Sequence, residues 1–171
     1  MNNLIRRLIA RVRGGDVLIQ YLRSCGMEIG NGCRIFSDIS TTESYLISLG
    51  DNVTVSGGVT FITHDASVAK VMDGVTDLFG RIKIGNNCFI GERATILYGV
   101  TLPDNTIVGA SSVVTKSVSS PGQIIGGNPA KVIGNIESFC EIYKDQAVSI
   151  KGLSPESKYE LLKNENIMVK R

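Results

Sequence analysis

An all-β chain wound into a parallel coil of triangular section is predicted by three features: a six-residue beat of large aliphatic residues, a register of smaller residues behind it, and glycines directly after it. Isoleucine, leucine or valine returns at Ile84, Ile90, Ile96, Leu102, Val108 and Val114, and the same phase carried through Ser120 and Gly126 meets Val132. A beat of six matches neither the helical period of 3.6 nor the strand period of two, so it belongs to a unit larger than one element. Cys88, Ala94, Val100, Thr106, Ser112, Val118, Ile124 and Ala130 stand four places after the beats and are small or of moderate size. Gly85, Gly91, Gly109 and Gly127 follow beats directly, where a tight bend leaves little room. One short strand per side, with a large aliphatic residue and a smaller neighbour in each layer, satisfies all three features. Three sixes close one coil of 18 residues. Neighbouring coils then pair as parallel strands and bury a core that one coil cannot bury alone.

The elements follow in order. Residues 1–28 form a short helical cap: Leu4, Ile5, Leu8, Ile9 and Val12 make a helical stripe among Arg6, Arg7, Arg11 and Arg13, Gly14-Gly15 ends it, and 17–23 add another turn or two. Such a cap covers pairing groups that the first coil would otherwise expose. The same basic, amphipathic residues also suit weak contact with an anionic membrane surface. The coil occupies residues 29–134. It begins at Ile29-Gly30 and Ile35, weakens across 41–45, and resumes at Leu49-Gly50, Val55 and Phe61. The step from Ile35 to Leu49 is fourteen rather than twelve, which predicts a bulge or two-residue insertion near 40–46. A second break, 66–83, carries the turn signal Asp73-Gly74 and is a loop extruded from the coil. Residues 135–171 form a tail, with helix predicted within 136–147 and, from Ser154 as N-cap and Pro155 as first helical residue, up to about Leu162.

Composition narrows the function classes. With 171 residues the chain makes one substantial domain with short appendages. A formal charge of +2, with no long lysine–arginine face inside the repeats, argues against a nucleic-acid partner. The four cysteines lack close metal-ligand spacing, and Cys33 and Cys88 hold the small repeat position, as buried thiols of a reduced, cytosolic protein do. No 18-residue apolar run and no signal-peptide pattern is found, so a cytoplasmic location is expected, peripheral at the inner face of the membrane if the arginine-rich segment binds lipid.

Three stretches together carry a resemblance. Ile90-Gly91-Glu92-Arg93-Ala94-Thr95-Ile96-Leu97-Tyr98-Gly99-Val100, then Ile107-Val108-Gly109-Ala110-Ser111-Ser112-Val113-Val114-Thr115-Lys116, then Gly127-Asn128-Pro129-Ala130-Lys131-Val132-Ile133, resemble the hexapeptide-repeat acyltransferases. The nearest branches are the sugar O-acetyltransferases, including maltose, galactoside and polysaccharide-modifying enzymes, with serine acetyltransferase further away. The resemblance covers about residues 29–134. It implies a left-handed parallel β-helix, a homotrimer, and acetyl transfer from acetyl-CoA as co-substrate to a sugar or oligosaccharide hydroxyl in a cleft between subunits. N-acetylation of a nucleotide-linked amino sugar, or O-acetylation of serine or an antibiotic, would use the same donor groove and histidine. A carbonic anhydrase of this repeat class needs a cluster of zinc-binding histidines, and the chain has one histidine, so no metal site is expected. A purely structural coil leaves the placement of that histidine unexplained.

His64 lies in Thr63-His64-Asp65, three residues after the Phe61 beat and directly before the extruded loop. The family places its general base in a similar Thr-His segment, so the resemblance implies that His64 takes the proton of the acceptor hydroxyl, a task suited to an imidazole near pH 7. Direct transfer then needs no covalent enzyme intermediate, and ordered juxtaposition supplies the rest. Asp65 is a candidate to orient the imidazole or the acceptor, although strand neighbours point to opposite faces, which favours a loop-capping role. Asp38 stands near the place where the sugar acetyltransferases carry an active-site asparagine; an aspartate there adds charge and removes an amide donor. On the donor side, backbone groups at Gly91, Gly109, Ala110 and Ser111 are candidates to bond the pantetheine amides. Lys116 and Lys131 are candidates for the phosphates. Asp73, Asp77, Phe79 and Arg81 give the loop polar and aromatic contacts suited to a sugar.

Overall fold

A computed structural model describes residues 15–169, which form two compact units divided after Gly134. The arginine-rich stripe at 4–13 lies outside the described residues. In the first unit three sheets, whose repeat strands pair in parallel, make the three sides of a coil. One side carries, in order, β1 (Glu28–Ile29), β3 (Ile47–Leu49), β8 (Ile82–Ile84) and β11 (Thr101–Leu102). The second carries β2 (Arg34–Ile35), β4 (Thr54–Val55), β9 (Phe89–Ile90), β12 (Ile107–Val108), β14 (Gln123–Gly127) and β15 (Ala130–Asn135). The third carries only β5 (Thr60–Phe61), β10 (Thr95–Ile96) and β13 (Val113–Val114), because the first coil crosses this side without a strand.

The pairing register reproduces the predicted 18-residue coil: Ile84 faces Leu102, Ile90 faces Val108 and Ile96 faces Val114. These beats are almost fully buried, and Cys88, Ala94, Val100, Thr106 and Ser112 fill the second layer beside them. The two polar members of that layer are satisfied locally, Thr106 Oγ1 donating to the Pro103 carbonyl at 2.7 Å and Ser112 Oγ accepting from Gly127 N–H at 3.1 Å, as buried polar groups require. Gly85 shows why small residues follow the beat. A Cβ there would stand 2.5 Å from Asp104 Oδ1 and 2.6 Å from its backbone nitrogen.

The register is interrupted twice. Ile29 faces Leu49 and Ile35 faces Val55, twenty residues on instead of eighteen, so two residues are inserted where a short 3₁₀ turn, Ser44–Leu46, replaces regular coil. Phe61 faces Ile96 across 35 residues, so seventeen are extruded after the third side. The feet of this loop are zipped by an antiparallel pair, β6 (His64–Asp65) with β7 (Leu78–Phe79), in which His64 faces Phe79.

The end of the repeat corrects the expected phase. Val108 faces Ile125, seventeen residues on, so the beat moves off Gly126 and Val132; Ile125 is 2% exposed and Val132 55%. The missing residue falls between Val114 and Gly122, on the one side of the last coil that carries no strand. Gly122 regains the corner. A column of left-handed residues, Gly32, Asn52, Asn87, Asn105 and Gly122, runs up this edge, and its asparagines form a ladder, Asn52 Nδ2 to Asn87 Oδ1 and Asn87 Nδ2 to Asn105 Oδ1, both 2.7 Å. Asparagine tolerates this backbone region better than other side-chain-bearing residues.

Helix α1 (Gly15–Ser24) lays Leu18, Ile19 and Leu22 on the core beside Met27, Cys33 and Ile35. At its end Arg23 donates from Nη2 to the carbonyls of Ile29 at 2.8 Å and Gly30 at 2.9 Å, satisfying acceptors at the edge of the first coil. Cys33 and Cys88 are buried and unbridged, and burial pushes the Cys88 thiol up, away from the reactive thiolate. In the second unit, α2 (Ile136–Tyr143) is capped by Asn135 and α3 (Pro155–Leu162) by Ser154, whose hydroxyl accepts from Ser157 N–H at 3.1 Å. No helix among the described residues is long and apolar enough to cross a membrane.

Candidate active site at the third corner

The two irregularities of the coil meet. The inserted segment of the first coil lies beside the end of β5, from which the chain runs through Thr63 into His64. Glu43, from the insertion, reaches across 21 residues to place Oε2 3.0 Å from His64 Nδ1. The Thr63 hydroxyl donates to the same oxygen at 2.8 Å and Thr41 Oγ1 stands 3.1 Å from it, while Thr42 donates to Oε1. These contacts outweigh the cost of burial and hold the carboxyl far below its ordinary range, from 4.5 down to about 2, with the Thr42 hydroxyl bond the largest cause and the bonds from Thr63, His64 and Thr41 adding to it.

An ionised carboxylate only accepts, so the contact is a hydrogen bond when Nδ1 carries the proton, and in the neutral ring that tautomer leaves the lone pair on Nε2. Nε2 has no hydrogen-bond partner among the described residues, and the side chain is 43% exposed. The ring tilts against Phe79, centroids 5.7 Å apart. A cleft of about 500 Å³ opens beside it, lined by Ser40, Thr41, Thr42, Thr60, Ile62 and His64, a hydroxyl-rich and uncharged surface apart from the imidazole.

Glu43 was not among the sequence-predicted site residues; of the two carboxylates that were, Asp65 adjoins His64 and Asp38 lines a neighbouring cleft. Asp65 does not hold the ring: its Oδ1 accepts from Ser67 N–H at 2.8 Å, capping the 3₁₀ turn Ala66–Lys70, and its Oδ2 accepts from the Tyr98 hydroxyl at 3.1 Å. The strand has turned Asp65 to the other face from His64, as alternation requires. Asp38 lines a larger cleft of about 700 Å³ with Phe36, Ser37, Gly58 and Leu18, which shares Thr60 with the His64 cleft. Arg81 is drawn away too, its guanidinium 3.5 Å from the Tyr45 carbonyl.

The register aligns the remaining candidates. Phe61, Ile96 and Val114 are partners in successive coils, so the segments that follow them, ending at His64, Tyr98 and Lys116, turn the same corner one rung apart. At about 4.8 Å per rung, Lys116 stands two rungs, or about 10 Å, up this edge from the His64 segment. Lys116 and Lys131 line one cleft of about 350 Å³ with Ser117, Gln123 and Ala130. The expected backbone donors are mostly spent on the coil: Gly91 N–H on Val108, Gly109 N–H on Ile125 and Ser111 N–H on Glu92, each at 2.8 Å. Ala110 is the member of the set whose amide is not used in this way. Gly91 lets the two coils approach closely here, since a Cβ there would stand 2.6 Å from Ala110 nitrogen. No group of three or more histidine, cysteine or acidic side chains suited to a metal occurs among the described residues.

This geometry has relatives. The family described as hexapeptide repeat of succinyl-transferase matches residues 81–116. Protein CapG of Staphylococcus aureus is 41% identical over 140 residues, 79% of this chain and 81% of that protein. Galactoside O-acetyltransferase of Escherichia coli (strain K12) is 33% identical over 116 residues, which cover 66% of this chain and 57% of that enzyme. The crystal structure of a hexapeptide-repeat-containing acetyltransferase from Vibrio cholerae, complexed with acetyl coenzyme A, matches with a TM-score of 0.57 at 25% identity, covering 65% of this chain and 61% of that one. The chain belongs to the hexapeptide-repeat acyltransferase family, and its coil is a left-handed parallel β-helix.

Proposed function

We propose that this acyltransferase moves an acetyl group from acetyl-CoA directly to a hydroxyl of a sugar or oligosaccharide, with His64 as general base and Glu43 as the group that orients it. The observation that supports the proposal is geometric: Glu43 Oε2 stands 3.0 Å from His64 Nδ1, and the ring lines a hydroxyl-rich cleft, which together favour a ring with Nδ1 protonated and Nε2 bare. Nε2 takes the acceptor proton as its oxygen attacks the thioester carbonyl, and the imidazolium returns that proton to the departing sulfur. Glu43 stabilises the transient imidazolium by the same contact that selects the tautomer. A cleft without fixed charges beyond these favours a neutral acceptor, in keeping with the similarity to the galactoside enzyme. A homotrimer with sites between subunits completes the proposal.

Incubating the protein and acetyl-CoA with maltose, methyl galactoside, nucleotide-linked amino sugars and serine tests it. An O-acetyl ester on a neutral sugar, identified by mass spectrometry, is the expected product; acetylation confined to an amine or to serine would overturn the sugar-hydroxyl assignment.

For the donor, the cleft between Lys116 and Lys131 supports a phosphate site with the pantetheine arm running along the edge toward Ala110 and His64. Neutralising both lysines should weaken acetyl-CoA more than its analogue lacking the 3′-phosphate, and the difference should shrink as salt rises. Equal losses for the two donors at every salt concentration would remove the lysines from that phosphate.

A further inference from the structure

The extruded loop is fastened on both sides of its base, and both feet lie against the next rung at Tyr98-Gly99. On the outgoing foot, Tyr98 donates its hydroxyl to Asp65 Oδ2 at 3.1 Å, while Oδ1 of the same carboxylate takes Ser67 N–H at 2.8 Å. On the returning foot, Gly80 N–H donates to the Thr63 carbonyl at 3.1 Å. Gly80 also lies flat on the coil, since a Cβ there would stand 2.5 Å from Gly99 nitrogen and 3.0 Å from its Cα. Between the two feet the β6–β7 pair sets Phe79 opposite His64.

The base of the loop is therefore a built wall beside the imidazole. Besides the Glu43 contact to His64, the loop base is fastened by a second side chain from another coil, the Tyr98 hydroxyl on Asp65. The bond is charge-assisted, because the contacts from Ser67 and then Tyr98 hold Asp65 below the usual carboxylate range, and the same bond pushes the Tyr98 phenol up, which keeps its proton in place. We propose that Tyr98, acting through Asp65, is a positioning residue that fixes this wall, sets how the acceptor is held against His64, and so contributes to acceptor selectivity. The proposal rests on the reading of His64 as the base, because only then does the wall border the reacting hydroxyl.

Tyr98→Phe keeps the ring and removes the bond. With maltose or methyl galactoside as probe, whichever reacts faster, its acceptor KM should rise about tenfold, the worth of one charge-assisted hydrogen bond, with the KM for acetyl-CoA unchanged. Amide exchange at Ser67 and Gly80 should quicken by a similar factor, while Thr95 and Leu97 in the coil ladder keep their protection. Asp65→Asn retains an acceptor for Ser67 and a neutral partner for the phenol, so its acceptor KM should fall between those of the parent and Tyr98→Phe; Asp65→Ala should raise it at least as much as Tyr98→Phe. Unchanged exchange at Ser67 and Gly80, an unchanged acceptor KM, or equal rises in both KM values would overturn the proposal. His64→Ala run alongside separates the two claims: full turnover in that variant sinks the base assignment, whereas the exchange data decide the positioning role independently of turnover.

Discussion

Substitution of His64 by alanine is expected to slow acetyl transfer by about 10²–10⁴-fold, the usual contribution of a positioned general base, with acetyl-CoA binding little changed. The expectation follows from where the ring sits. His64 projects from the short β6 strand with its side chain 43% exposed and contributes no buried apolar packing, so its removal leaves the layers of Phe61, Ile96 and Val114 intact. Lys116 lies two rungs from the His64 segment, and the residues proposed for the donor are carried by other coils. Initial rates with saturating donor, together with acetyl-CoA titration calorimetry, check both halves. Equal rates for parent and variant, where chemistry limits both, would reject the assignment.

The second large effect is expected at Glu43. Glu43→Gln keeps size and polarity but lets the amide donate to Nδ1, which would move the imidazole proton to Nε2, the nitrogen that must be bare. A fall in kcat of about 10²-fold is expected, bounded by the loss from removing the base altogether. Because both residues act as one unit, His64→Ala/Glu43→Gln should be scarcely slower than His64→Ala alone; a multiplicative loss would mean that Glu43 acts by some other route. The carboxyl also leaves a trace in stability. Its folded-state value, about 2, lies below its ordinary 4.5, so ionisation favours the fold above pH 4.5 and that contribution fades as pH falls toward 2. Denaturant unfolding of parent and Glu43→Gln should therefore converge across this interval, the parent losing stability that the variant never had.

Much of the coil was legible because its period is written in residues that do one job. Ile84 through Val114 fill one layer and Cys88 through Ser112 the next, and each keeps its place because a displaced residue would leave a cavity or a clash. The beat misled after Val114, where the last coil drops one residue on a side without a strand; extrapolating through Ser120 and Gly126 could not reveal that, but the corner column could. Asn52, Asn87, Asn105 and Gly122 are spaced by the lengths of successive coils, and the shortened final step marks the deletion.

Handedness was not contained in the period and came with the family. The site was half legible for a related reason. His64 announced itself as the one histidine before an extruded loop, yet its partner is remote in sequence. Asp65 adjoins it but faces the other way, whereas Glu43 stacks beneath it because two extra residues displace the first coil at that corner. The visible sign was the fourteen-residue step from Ile35 to Leu49: an irregularity in one coil set directly below the end of β5 is where a second functional side chain has room to emerge. The donor amides were over-counted because a coil spends most backbone donors on its neighbour, which leaves Ala110 as the residue of that set whose amide is not so engaged.

The central claim is that Glu43 fixes the imidazole with Nδ1 protonated and Nε2 bare. Because the chain contains one histidine, the ¹⁵N spectrum of histidine-labelled protein reports that ring without ambiguity. In mildly alkaline buffer, where an imidazole is neutral, Nε2 should show the shift of an unprotonated ring nitrogen and Nδ1 that of a protonated one, and Glu43→Gln should abolish or reverse the preference. A parent spectrum with the proton on Nε2, or with the tautomer mixture of free histidine, would contradict it.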